Sequence, residues 1–404
     1  MLKLFNSLGR KMEVFRPVSK GLVTIFTCGP SVYQPSHIGN FRTFLFEDVL
    51  VRYLEYAGYT VRRGMNFTDI EDKAIEEATR KHKTVGRIAG VNIRRFIAEM
   101  KQLRMKTPDY LPTASATVDE AAGLIAELLR KKVAYRHGRN VYFDPLKFRG
   151  FGRLYGLDMK SWPAKKRRFH KDTYPGMRWN RGDFILWHGC DDPDVYCWET
   201  EISRGRPSWN IQDAGMVSKF LSETLSIYCG GIDNLVRHHD YSKAIIESAR
   251  PYPMARFWLH CNHLYADNRK MSKSLGNIHY VGSLRGQGFR IEEIRFFLIY
   301  GHYRDRLAYS GRSMAAAAGR LRDFRGRILR IQKKASSSPA GGRVALRLKD
   351  LFVTHMDNDL DVRTAFDAVH AEIIATDVRK LSPEEAAGII ICLREINEVL
   401  QVLF

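Results

Sequence analysis

The apolar positions near the start of the chain fall into a strand–helix–strand rhythm. Gly21 to Thr27 (GLVTIFT) is a short β-branched apolar run, which predicts a buried strand. Cys28-Gly29-Pro30 and Pro35 then break it as loop residues. From His37 onward, Phe41, Phe44, Leu45, Val49, Tyr53 and Leu54 recur at helical spacing, and Gly58 stands where a helix cap belongs. Thr60 to Phe67 reads as a second strand. Such βαβ units build parallel sheets that place ligands at the carboxyl ends of the strands.

Further along, Asp119 to Lys132 predicts a helix and Val141 to Phe143 a short strand. Leu225 to Ile232 reads as a strand carrying Gly230-Gly231, and Tyr241 to Ala249 opens a helix. These form a second αβ half, so the sheet is expected to be interrupted by a long insertion. Ser336 to Gly342 (SSSPAGG) has linker composition. Val344 to Phe404 then holds three helical patterns without a strand signal, and Pro383 with Glu384 and Glu385 marks a helix start.

A chain of 404 residues is too long for one compact core and predicts two or three domains. No apolar run is long enough to span a bilayer, and Met1 to Pro17 lacks the apolar core of a signal peptide, so a cytoplasmic address with no membrane partner is expected. The six cysteines are scattered, with no Cys-x-x-Cys pair, and the expectation is free thiols rather than disulfides.

Charge is unevenly spread along the chain. The formal net charge is +21, yet from Leu346 onward there are six basic and eleven acidic residues. The remainder therefore carries +26, a field that attracts phosphate polymers. Lys160 to Arg181 is basic and irregular, either a solvated loop or a phosphate-backbone contact.

Two separated segments carry candidate chemistry. Pro35-Ser36-His37-Ile38-Gly39-Asn40 places an imidazole and a glycine where a strand turns into a helix, whose N-terminus favours an anion. Lys270-Met271-Ser272-Lys273-Ser274 places two lysines three apart on a loop. Ammonium groups closing on developing pyrophosphate charge stabilise a transition state. Together the segments suit a triphosphate attacked at its α-phosphate, and so the activation of a carboxylic acid by ATP.

The pair resembles the HIGH and KMSKS signatures of class I aminoacyl-tRNA synthetases. TCGPSVYQPSHIGNFRTF, YLEYAGYTVRRGMNFTDIEDK, GRPSWNIQ, GGIDNLVRHHD, KMSKSLGN and MDNDLDVRTAFDAV resemble the cysteinyl-tRNA synthetase family, in order along the whole chain. The resemblance implies an α/β class I synthetase fold: a Rossmann-like parallel sheet with an inserted connective domain, followed by an all-α C-terminal bundle. It divides the chain into core halves at 1–100 and 201–265, a connective insertion at 101–200, a KMSKS-loop connector at 266–335 and a helical domain at 343–404.

It also implies roles. His37 and Asn40 hold the ATP phosphates, with Gly29 and Gly39 allowing close approach. Gly230, Gly231 and Asp233 line the adenosine site. Lys270 and Lys273, with Met271 between them, stabilise pyrophosphate release. Trp209, Thr68, Cys28, Asp213 and His238 belong to the amino-acid pocket, with Asp69 nearby, and Mg²⁺ accompanies ATP. The implied partners are an amino acid and a tRNA acceptor end, and the implied state is a monomer.

Cysteinyl-tRNA synthetases hold the substrate thiolate on zinc through two Cys, a His and a Glu. Here Cys28 and His238 match, but Asp213 occupies the second Cys position and Ser242 the Glu position. Three outcomes stay open: Cys28, Asp213 and His238 hold a weaker metal site; or Asp213 faces a cationic substrate group in a metal-free pocket; or it pairs with a nearby Arg or His. His239 and Cys229 read as core or supporting residues. The mycothiol ligases, a related branch with three protein zinc ligands that transfers the aminoacyl group to an aminosugar, match His238 to Ser242 as well. A small-molecule amine is thus the alternative acceptor, and a non-catalytic RNA-binding derivative a third reading. The sequence ends at Phe404 without the family's anticodon-binding piece, so it is expected to be a truncated member that meets tRNA at the acceptor end.

Overall fold

The computed structural model describes residues 1–161, 183–191, 196–221, 223–266, 269–271, 276–337 and 342–404. Most of the basic stretch from Lys160 to Arg181, Lys273, and the middle of the linker lie outside the described residues.

The central sheet has four parallel strands in the order Ala255–Cys261, Leu225–Gly231, Leu22–Thr27, Thr60–Met65. Register pairs Ile25 with Ile227 and with Arg63, and Phe257 with Ile227. The inner strands are apolar because both faces are covered, as a parallel sheet requires. The sheet joins residues some 200 positions apart, because the connection between its halves carries a second antiparallel sheet. That sheet comprises Ala134–His137, Asn140–Phe143, Phe184–Gly189 and Gly205–Pro207.

Helix Ile38–Tyr56 follows the first core strand. It is buried on almost all sides, between the sheet and the C-terminal helices, so its charged residues need partners inside the protein. Arg42 donates to the carbonyls of Leu298 (2.5 Å) and His302 (2.8 Å). Asp48 accepts from Arg295 at 2.6 Å and from Arg52 at 3.0 Å. The helix ends at Ala57, with Gly58 at φ +90°, a conformation that costs a glycine little.

The three C-terminal helices are Arg343–Met356, Val362–Ala375 and Pro383–Leu400, the last capped by Ser382 and Glu385 with proline at its first position. Among the described residues no helix is long and apolar enough to cross a membrane.

One expectation is corrected. Cys190 and Cys197 are joined by a disulfide, their Cα atoms 6.9 Å apart. The cause is local: Cys190 N–H donates to Arg204, Trp198 N–H to Gly205, so the same segment draws both flanks together. Cys28, Cys229, Cys261 and Cys392 are buried free thiols.

Candidate active site

The carboxyl ends of the two central strands, Thr27 and Gly231, open onto a cleft of about 290 Å³. Its walls come from both halves of the sheet and from the loop after Ala266.

His37 caps helix Ile38–Tyr56. Its Nδ1 accepts from Asn40 N–H at 3.2 Å, and Asn40 Oδ1 accepts from His37 N–H at 3.0 Å. With Nδ1 accepting, the neutral ring carries its proton on Nε2, which is the donor a phosphate needs. The amide of Asn40 keeps its NH₂ group as donor for the same reason. Both residues line the cleft.

Gly39 lies between them and the distant loop. A β-carbon there would stand 2.6 Å from Met271 Cε and 3.0 Å from the His37 ring. Met271 is buried and lines the cleft, and Ile38 N–H donates to His279 O at 2.9 Å. The segment carrying Lys270 and Met271 therefore closes on the helix start. Lys270 pairs with Tyr265 through its backbone; Lys273 is not among the described residues.

The other sequence candidates divide into wall and support. Cys28, Gly29, Thr68, Trp209, Gly231 and Asp233 line the cleft. Gly29 is held against the Asn66 backbone, where a β-carbon would meet the carbonyl oxygen at 1.9 Å. Gly230 is buried behind the wall, against His239 and Cys28. Asp69 turns to Ser115, accepting from its N–H and hydroxyl, and lies outside the lining. Asp213 and His238 are fully buried beneath the floor rather than part of it.

Sequence reasoning missed Tyr33, Thr43, Glu71, Lys73, Asn234 and His263, which also line the cleft. Glu71 and Lys73 sit in the quoted NFTDIEDK run and Asn234 in GGIDN, so the signal was proximity to the motifs. Burial, with Glu71 and Glu77 nearby, pushes the Tyr33 hydroxyl up to about 12.

Beneath the floor the sequence builds a polar cluster. Trp209 opens helix Trp209–Phe220 and Asp213 follows on the same face one turn later. His238 comes from a π-wound turn, Leu235–His239, a local widening often found at functional sites. It sends the two consecutive histidines to different partners. His238 stacks on Trp209 at 3.8 Å with 7° between planes, while His239 bonds His260 at 2.8 Å. Asp213 Oδ2 receives Tyr228 OH at 2.5 Å and lies 3.0 Å from His238 Nε2; Oδ1 receives Asn66 Nδ2 at 3.1 Å. Burial raises the Asp213 carboxyl, but His238 and the bonds from His238, Tyr228 and Cys28 outweigh it and hold it below the ordinary range. Burial, then Asp213, pushes both the Cys28 thiol and the Tyr228 hydroxyl well up.

Of the groups that could meet Asp213, the structure places His238 beside it, at 3.0 Å. The donor atoms of Cys28, Asp213 and His238 lie within 4.8 Å of one another, so proximity alone admits a metal. The donor chemistry does not. His238 spends on Asp213 the nitrogen a metal would share, and its buried Nδ1, which a ligating histidine anchors to an acceptor, has no partner among the described residues. Asp213 Oδ2, the oxygen facing His238, is occupied by Tyr228 OH and His238 Nε2 together, and Oδ1 accepts from Asn66 Nδ2. Ser242, in the fourth position, donates its hydroxyl to His238 O at 2.9 Å. As arranged, these residues do not fit a zinc centre.

The profile of tRNA synthetases class I (C) catalytic domain matches residues 14–319. A cysteine–tRNA ligase of Chlamydia muridarum is 34% identical over 422 aligned residues, covering all of this chain and 88% of the relative. Among solved structures, the Mycobacterium tuberculosis methionyl-tRNA synthetase in complex with methionyl-adenylate superposes at TM-score 0.68, with 12% identity over 94% of this chain and 92% of the other. The Agrobacterium radiobacter K84 LeuRS in ternary complex with tRNA and LeuAMS gives 0.67, with 13% identity over 96% and 85%. At such identities the structural likeness shows the class I fold alone. The profile match and the identity along the full length place the chain in the cysteine–tRNA ligase family of class I aminoacyl-tRNA synthetases.

Proposed function

We propose that the cleft joins an amino acid to ATP as an aminoacyl-adenylate and passes the aminoacyl group to tRNA. In the first step a carboxylate oxygen attacks the α-phosphorus and pyrophosphate leaves. In the second, a ribose hydroxyl of the tRNA end attacks the acyl carbon and AMP leaves. The observation that carries this reading is the contact of Met271 with Gly39, because it brings the lysine-bearing segment to the helix start that His37 and Asn40 cap.

The residues divide the work. The helix N-terminus, His37 and Asn40 bind phosphate oxygens. Lys270 and Lys273 supply positive charge as the pyrophosphate oxygens gain electrons. Gly231 and Asp233 border the nucleoside, with Gly230 supporting them from behind. Thr68, Trp209 and Cys28 border the amino-acid side chain. Mg²⁺ neutralises the triphosphate when ATP binds. No step runs through zinc. The +26 on the catalytic part favours tRNA over a small amine as acceptor.

Amino-acid-dependent ATP–pyrophosphate exchange tests the first step. The natural chain exchanges with at least one amino acid, and Lys273→Ala lowers the rate about 100- to 1000-fold. Absence of exchange with every amino acid defeats the reading. For the second step, RNA affinity falls steeply with salt on a log–log plot; a flat plot argues against tRNA.

A further inference from the structure

We infer that this chain reads its amino acid without zinc, through a closed cluster of Tyr228, Asp213 and His238 topped by the Cys28 thiol, and that it admits a small, uncharged side chain able to hydrogen-bond. The inference rests on the adenylating reading of the cleft.

Asp213 and His238 have no exposed surface, whereas Cys28 lies above them, 7% exposed, and reaches the cleft. Asp213 is encircled by Tyr228 at 2.5 Å, His238 at 3.0 Å and Asn66 at 3.1 Å. Its charge is met inside the protein and offers nothing to an ammonium or guanidinium in the cleft. Trp209 seals one side by stacking on His238. The groups directly above the cluster are the Cys28 sulfur, to which Asn234 Nδ2 approaches at 3.4 Å, and the hydroxyl of Thr68, which accepts from Asn66 Nδ2 at 3.3 Å; Glu71, Lys73 and Asp233 also line the cleft, each engaged with other groups of the protein. The Cys28 sulfur and the Thr68 hydroxyl are weak neutral donors and acceptors, suited to a thiol or a hydroxyl.

Such a floor discriminates modestly. A pocket without metal coordination separates neighbours that differ by one methylene or an added hydroxyl by about 10- to 200-fold.

Elemental analysis and substrate profiling test the inference separately. The full chain, expressed in zinc-supplemented medium and desalted, should hold under ~0.1 zinc per chain, well short of the one that a structural or catalytic site retains. Exchange with its best amino acid should stay within about twofold in 1,10-phenanthroline, which removes zinc and spares Mg²⁺. The double variant Asp213→Cys, Ser242→Glu restores thiolate and carboxylate donors and should retain about one zinc per chain. About one zinc on the natural chain, loss of exchange in the chelator with recovery on adding zinc, or a charged amino acid as best substrate each overturns the inference. Zinc content is read without activity. Complete lack of exchange therefore defeats the adenylating reading, while the metal measurement still decides the zinc-free claim, whether or not the double variant folds.

Discussion

The Met271 methyl group packs where a side chain on Gly39 would have to go: a β-carbon at 39 would lie 2.6 Å from Met271 Cε. One contact thereby couples the two segments to which phosphate chemistry is assigned in the proposed function, 232 positions apart in the chain.

Gly39→Ala should damage the chemistry more than the fold. The opposing atoms are the tip of the Met271 side chain and, at 3.0 Å, the His37 ring, so the fold yields by moving Met271 and tilting the ring. That displaces the segment bearing Lys270, and misplacement of about an ångström costs up to roughly 100-fold in rate. Exchange should fall about 10- to 100-fold with the melting temperature nearly unchanged. Met271→Ala in the Gly39→Ala background should recover part of the loss, a coupling that a double-mutant cycle measures. Strictly additive effects would mean that the contact does not link the segments.

Cap and phosphate ligand separate at residue 37. His37→Asn keeps a side chain that caps Asn40 N–H but removes the Nε2 donor, so exchange should fall about 100- to 1000-fold with stability preserved. His37→Ala loses both, and urea unfolding should register about 1 kcal/mol of additional destabilisation. Equal exchange rates for His37→Asn and the natural chain would remove the imidazole from the mechanism.

The strands and helices around the cleft were legible because their signals are local: the β-branched run at 22–27, helical spacing from Phe41 to Leu54, the glycine at 58, and Pro383 after a capping serine. The meeting of His37 with the Lys270 segment was legible only as two motifs that need one another. Long-range pairing was less so. That Asp213 serves His238 and Tyr228 depends on a turn and a strand arriving from elsewhere, and sequence leaves several partners open for a buried carboxylate. The disulfide was missed because only the pairing of Cys190 and Trp198 with Arg204–Gly205 brings the two cysteines together. Gly230 reads like its neighbour Gly231, yet strand alternation turns one inward and the other to the cleft.

Arg295 ties the active-site helix to the C-terminal helices. Fully buried, it donates to Asp48 at 2.6 Å and to the carbonyls of Leu400 and Leu103, each at 2.8 Å. Arg295→Met leaves Asp48 with Arg52 and the Lys106 N–H and strands two carbonyls, so urea unfolding should show a loss of about 3–5 kcal/mol. Adding Asp48→Leu should recover part of it, because a buried carboxylate short of one of its two guanidinium partners is then gone. A loss under about 1 kcal/mol in the single variant would mean that water replaces the guanidinium.

The buried chain Ser7–His260–His239 should make the fold acid-sensitive. His260 lies 2.7 Å from Ser7 Oγ and 2.8 Å from His239 Nδ1, and burial pushes it down to about 3 although Asp233 opposes the shift. His239 is pushed well down by burial and by its histidine neighbours. Below about 6.5 the unfolded chain binds protons that the folded chain refuses. The stability His260 contributes is therefore complete above that pH and drains away as pH falls toward 3. Asp240, pushed up to about 7 chiefly by burial, works in the opposite sense, so the informative quantity is a difference between variants. Urea unfolding of the natural chain and His260→Asn at pH 7, 6 and 5 should give stabilities that converge by up to about 1.4 kcal/mol per pH unit as pH falls, the variant having one fewer proton to take up on unfolding. A gap that is constant with pH would mean that His260 titrates alike in both states, and that the buried imidazole pair is not held neutral.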